Sequence, residues 1–87
     1  MANHKNAEKA HRQNLKGRLR NRGHRSRMRT AVKTLRAAVA AGDSATAQSL
    51  LSATLSLVDR TAKHGAIHDN AAARTKSRLT RAVGKIA

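Results

Sequence analysis

Arg18, Arg22, Arg25 and Arg29 recur at i, i+4, i+7 and i+11, and Lys33 and Arg36 continue close to the same line. Residues so spaced stack along one face of an α-helix. A row of guanidinium and ammonium groups does one kind of chemistry well, which is to hold phosphate oxygens. The same spacing returns in Lys5, Lys9, Arg12 and Lys16, and again in Arg74, Arg78, Arg81 and Lys85. These rows are the candidate contacts to a polyanion.

The charge balance supports them. The chain has 87 residues, with 19 Lys and Arg against four Asp and Glu, a formal net charge of +15. Such self-repulsion disfavours a compact free state and points to an anionic partner. Its distribution is uneven: twelve of the 19 basic residues fall within residues 5–36, and the remaining seven lie from Arg60 onward. Between Ala37 and Asp59 there is no basic residue, only Asp43 and Asp59. The middle therefore reads as scaffold and the flanks as contact surface.

Other chemistries find little in the sequence. Each carboxylate has a local role to fill: Asp43 and Asp69 at helix starts, Asp59 beside Arg60 and Lys63, Glu8 within reach of Arg12. No nucleophile has a base and orienter around it, and no Gly-rich loop follows a strand, so no enzyme and no cofactor are expected. His64 and His68 are four apart, but Gly65 between them marks a helix stop and no Cys or Glu completes a tetrahedral set. No metal is expected. The chain has no Trp, Tyr, Phe, Pro or Cys, which excludes base stacking on aromatic rings and any disulfide framework. No apolar run approaches a membrane span, and the first eleven residues lack the apolar segment of a secretory signal.

The elements that carry the basic rows follow from apolar periodicity and glycine. Met28, Ala31, Val32, Leu35, Ala38 and Val39 repeat at three and four residues on a face distinct from the arginine row. A first helix over about residues 4–41, opened by Asn3 or Asn6, stops at Gly42. The arm over residues 2–27 is expected to be helical on its partner and frayed without it, because like charges and Gly17 and Gly23 both weaken a helix. Asp43 or Ser44 caps a second helix over about 44–63, whose apolar line is Ala47, Leu50, Leu51, Leu55, Leu57, Val58 and Ala62, with Thr54 and Thr61 between. Gly65 ends it, Ile67 reads as an apolar plug, and Asp69 or Asn70 caps a third helix over about 69–86, with Ala72, Leu79, Ala82, Val83 and Ile86 inward. Leu51 and Leu79 look central. The expected architecture is all-α, an antiparallel up-down-up three-helix bundle with an extended basic N-terminal helix, in a single domain. The first helix, about 57 Å long at 1.5 Å per residue, must project beyond the other two.

Charge spread over whole helices suits phosphate contact and shape recognition better than a short base-reading helix. Structured RNA is favoured, with a DNA-compacting nucleoid-type protein as the alternative. A cationic peptide acting on anionic membranes is a third reading. It is disfavoured by the expectation that no large exposed apolar residue borders the basic rows.

The segment Gly65–Leu79, GAIHDNAAARTKSRL, resembles the signature G-[hydrophobic]-I-H-K-N-x-A-A-R-x-K-S-R-L of the bacterial small-subunit ribosomal protein number twenty family. Ser26, Arg29, Thr30 and Lys33 resemble its S-x-x-[RK]-T-x-x-K pattern, and Ala41-Gly42-Asp43 its interhelical turn. The resemblance implies a cytoplasmic, ribosome-bound protein that contacts 16S rRNA directly and early in assembly, between the 5′ domain and the 3′ minor domain. Carried over by position, Ser26, Arg29, Thr30, Lys33, His68, Asn70, Arg74, Lys76, Ser77 and Arg78 fall on the family pattern. With the periodic rows these make the expected rRNA-binding set. No membrane, small-molecule substrate or homo-oligomer is expected beside the RNA. Two departures stand out: Asp69 where a basic residue is usual, and Gly17 and Gly23 in a helix the family keeps continuous.

Overall fold

A computed structural model describes the chain from residue 2 to 87, with side chains from residue 6 onward. Three helices, α1 (Ala2–Ala40), α2 (Ser44–Lys63) and α3 (Asp69–Ile86), follow one another with no strand among the described residues. The fold is the expected all-α bundle, with α2 packed against both α1 and α3. It measures 63 × 19 × 15 Å. The long axis is set by α1, whose 39 residues span about 58 Å at 1.5 Å per residue.

α1 takes in Asn3 and Asn6 rather than starting from either. It also runs unbroken through Gly17 and Gly23. A methyl group added at Gly17 would meet nothing within 4 Å, and at Gly23 only the end of the Arg27 side chain at 3.6 Å. Neither glycine is sterically required. Gly17→Ala and Gly23→Ala should each stabilise α1 by up to about 1 kcal/mol, seen as added helicity at low salt by circular dichroism.

Both turns are Schellman motifs built on a glycine in the left-handed region. At the first, Gly42 has φ +70°, its N–H donates to Val39 O at 3.0 Å, and the Asp43 N–H donates to Ala38 O at 3.0 Å. Asp43 then caps α2 by accepting from the Thr46 N–H at 3.2 Å. The hydrogen bonding to Thr46 holds its carboxyl below the usual carboxylate range, against a smaller opposing effect of desolvation. At the second, Gly65 has φ +77°, and the Gly65 and Ala66 N–H groups donate to Ala62 O at 2.9 Å and Thr61 O at 3.1 Å. Ala66, not Ile67, is the residue this turn buries; Ile67 stays half-exposed.

The core is Leu35, Ala47, Leu79 and Val83, with Val32, Ala38, Val39, Leu50, Leu51, Leu55 and Ile86 packed around it. Leu79 is central as expected, but Leu51 is only half-buried, and its place is taken by Leu35, which is fully buried. The seam of α2 explains this. Its buried residues are Ala47, Thr54, Val58 and Thr61, one helical line of small side chains. Leu50 and Leu57 flank that line on one side, Leu51 and Leu55 on the other. Small residues let α2 sit between its two neighbours, while its leucines reach the edges of both interfaces. The buried threonines cost little, because the Thr54 and Thr61 hydroxyls donate to Leu50 O at 2.8 Å and Leu57 O at 2.7 Å.

Candidate nucleic-acid interface

Arg18, Arg22, Arg29 and Lys33 are exposed along α1, as the spacing requires. Arg29, Lys33 and Arg36 form one wall of a groove floored by Met28 and Val32, with Thr75 of α3 opposite. Arg25 differs from its neighbours. It is half-buried, and its Nη1 donates to Ala66 O in the α2–α3 turn at 3.3 Å. It fastens α1 to that turn, so its charge serves the fold as well as the surface. Ser26 and Thr30 are exposed beside the row. The Thr30 hydroxyl donates to Ser26 O at 3.0 Å, so its proton is occupied within the helix and its oxygen can only accept.

On α3, Arg74, Arg78, Arg81 and Lys85 are exposed along one face, and Ser77 lies between Arg74 and Arg81. Lys76 stands apart from them. Its Nζ donates to both carboxylate oxygens of Asp59 on α2, at 2.9 and 3.2 Å. Asp59 is thus an interhelical partner, not a partner of Arg60 and Lys63. The pair is solvent-exposed and worth under about 1 kcal/mol, but it turns Lys76 away from the arginine row, two residues out of phase with Arg74 and Arg78.

The cap of α3 also differs from expectation. His68, not Asp69 or Asn70, is the N-cap: its Nδ1 accepts from the Asn70 N–H at 3.0 Å. An acceptor on the residue before the helix reaches the second helical amide, whereas Asp69 already lies inside the first turn. Accepting at Nδ1 leaves the ring proton on Nε2, and His68 and Asn70 are both exposed. Asp69, between them in sequence, lines the same depression as His68, but it lies on the side of α3 that carries Lys76 and not on the arginine row.

On the projecting arm, every described side chain from 6 to 16 is exposed. Lys9, Arg12 and Lys16 gather with Gln13 around a shallow depression; the Lys5 side chain lies outside the described residues. Helix spacing shows two features that a search for arginine rows passes over. Lys9, Lys16, Arg20 and Arg27 share a face, so the arm's row runs on into the bundle. Leu15 and Leu19, 49% and 59% exposed, continue the line of Arg22, Ser26, Arg29 and Lys33 toward the N-terminus. The expectation that no large apolar residue borders the basic rows is therefore overturned. Two leucines make a small apolar patch rather than a lipid-binding face, and no described helix is long and apolar enough to cross a membrane.

Where the arm leaves the bundle, the His24 ring of α1 stacks on His64, the C-cap of α2, with centroids 4.2 Å apart and planes at 8°. Desolvation, then the neighbouring His64, Arg27 and Arg20, hold His24 below the ordinary imidazole value. The folded state thus prefers neutral His24. Its contribution is complete above the ordinary value and fades as pH falls through the lowered one. A proton NMR titration should show His24 protonating at lower pH than an unstructured histidine, and His64→Ala should move it part of the way back up. An unmoved midpoint in that variant would disconnect the two rings. Among the described residues no three His, Cys, Asp or Glu side chains converge as metal ligands.

The arrangement is a cationic surface on two helices of one rigid bundle, extended by a third row on a projecting arm. A family model described as "Ribosomal protein S20" matches residues 2–84. Among similar proteins, the small ribosomal subunit protein bS20 of Nitrosomonas eutropha is 49% identical over 83 residues, 95% of each chain. That of Desulforapulum autotrophicum is 52% identical over 85 residues, 97% of this chain and 100% of the relative. That of Mycobacterium tuberculosis is 45% identical over 86 residues, 99% of this chain and 100% of the relative.

Proposed function

The chain belongs to the ribosomal protein S20 family, and on that premise we propose that it is a structural constituent of the small ribosomal subunit that binds 16S rRNA directly and stabilises its fold during assembly. The family is one of ribosomal proteins, not of enzymes. The observation that carries the direct-binding reading is the pair of exposed cationic rows on α1 and α3, held at fixed separation by a shared core. Each row neutralises phosphates on one RNA segment, so two segments that would repel can lie against one rigid body. The rows hold backbone, which gives affinity and register; His68 and Asn70 at the turn are placed to read a local RNA surface. The segments the family resemblance implies are the 5′ domain and the 3′ minor domain. The arm follows one of them outward, its leucines against sugars and its lysines and arginines against phosphates.

Binding measured at one salt concentration to a folded small-subunit rRNA fragment and to duplex DNA of equal length tests this. The expected preference for rRNA is on the order of a hundredfold or more. Equal affinities would make a DNA-compacting nucleoid-type protein the better reading.

A further inference from the structure

We infer that the groove between α1 and α3 seats a single unpaired RNA nucleotide, its base on the floor of Met28 and Val32 and its phosphate among Arg29, Lys33 and Arg36. This rests on the rRNA-binding reading and assigns one part of that surface a different mode of contact. The groove has a cavity volume of about 430 Å³ and is closed on its α3 side by Thr75, a short side chain that leaves the floor open. Met28 and Val32 are half-buried, so apolar surface is left in water directly beside Arg29, Lys33 and Arg36. A duplex laid along the row would bring phosphates to the rim and leave that floor uncovered. A flipped-out nucleotide covers both: its base has weakly hydrated faces and its phosphate is an anion one sugar away.

The composition narrows how the base is held. No aromatic ring lines the groove, so the surfaces it offers a base are aliphatic groups, the polarisable Met28 thioether and the planes of the arginine guanidinium groups. The groove brings all three together at one place. The volume fits one small ligand and not a helix or a strand of bases. Three cations on one wall favour an anionic occupant over a neutral apolar one. A short acidic peptide could satisfy the same charge, but it offers no flat ring to the apolar floor of Met28 and Val32.

The test uses the full chain with ¹³C-methyl labels on methionine and valine, titrated with adenosine 5′-monophosphate, ribose 5-phosphate and a short acidic leucine-containing peptide. The Met28 ε-methyl and Val32 γ-methyl signals should move saturably with the nucleotide. Because stacking adds to phosphate contact, the nucleotide should bind about fivefold or more tighter than ribose 5-phosphate. Met28→Leu should keep this preference, and Met28→Glu, which places a carboxylate in the floor, should lose it. Equal binding of the two phosphates would overturn the inference, as would silent methyl signals or tighter binding of the peptide at the same methyls. The same sample is titrated with the rRNA fragment and duplex DNA. Tight rRNA preference with silent methyls overturns the groove alone, whereas loss of that preference overturns the broader reading and the groove with it.

Discussion

Replacing Arg18, Arg22, Arg29 and Lys33 together by glutamine should weaken binding to the small-subunit rRNA fragment by roughly a thousandfold at 0.1 M salt, while the slope of log affinity against log salt falls by about three units. Each exposed cation that neutralises a phosphate releases condensed counterion, which contributes somewhat under one unit of slope. At 0.1 M salt this is worth nearly a decade in affinity. The four chosen residues are exposed and make no described contact that holds the bundle together, so the fold should survive. Arg25 is left in place because its bond to Ala66 O fastens α1 to the turn. Lys76→Gln serves as the comparison. Its ammonium is engaged by Asp59 on the far side of α3, so it should change the slope by well under one unit. If the fourfold variant kept the slope of the parent while Lys76→Gln lowered it, the α1 row would not be the phosphate-binding face. The binding surface would then have to lie on the α2–α3 side.

The parts of this design that were legible in the sequence are those that depend on periodicity and on glycine. Gly42 and Gly65 end helices because a left-handed residue must follow the last turn, and that requirement is local. The rows on α1 and α3 are visible because exposed positions need only a shared face. What a sequence hides is which neighbour a side chain meets. α2 has leucines on two sides of a line of small residues, and only the presence of a helix on each side makes Ala47, Thr54, Val58 and Thr61 the buried set. Read alone, the leucines look like the core. Arg25 fits the exposed spacing, yet the turn carbonyl it binds is 41 residues away. Lys76 fits a family pattern, but its phase on α3 turns it toward Asp59. His68 rather than Asp69 caps α3 because cap geometry is decided by where the last non-helical residue falls, a difference of one position. Leu15 and Leu19 would pass for core residues by type, and only the projection of α1 past its partners leaves them in water.

That difference between buried and exposed leucines sets the largest expected effect on stability. Leu35 is fully buried and Leu79 is 1% exposed, and truncating such a side chain to alanine costs about 2–5 kcal/mol. A chain this small has a total stability of only about 0.05–0.15 kcal/mol per residue. The exposed arm adds length without core, and the net charge of +15 works against compaction. Leu35→Ala should therefore remove most of the free bundle's stability. At about 4–8 °C per kcal/mol, its midpoint should fall by some tens of degrees or the cooperative transition should vanish. Leu79→Ala should behave alike, because the two side chains belong to one cluster. Leu51→Ala should cost clearly less, since a half-buried side chain gives up less apolar area and leaves a site open to water rather than a closed cavity. Leu15→Ala and Leu19→Ala, on the arm, should leave the midpoint within a few degrees while weakening RNA binding. Thermal unfolding followed by helicity at fixed salt ranks all five proteins in one experiment. A midpoint for Leu35→Ala as high as that for Leu15→Ala would mean that Leu35 is not the centre of the core, and the face of α1 assigned to the bundle would have to be rotated.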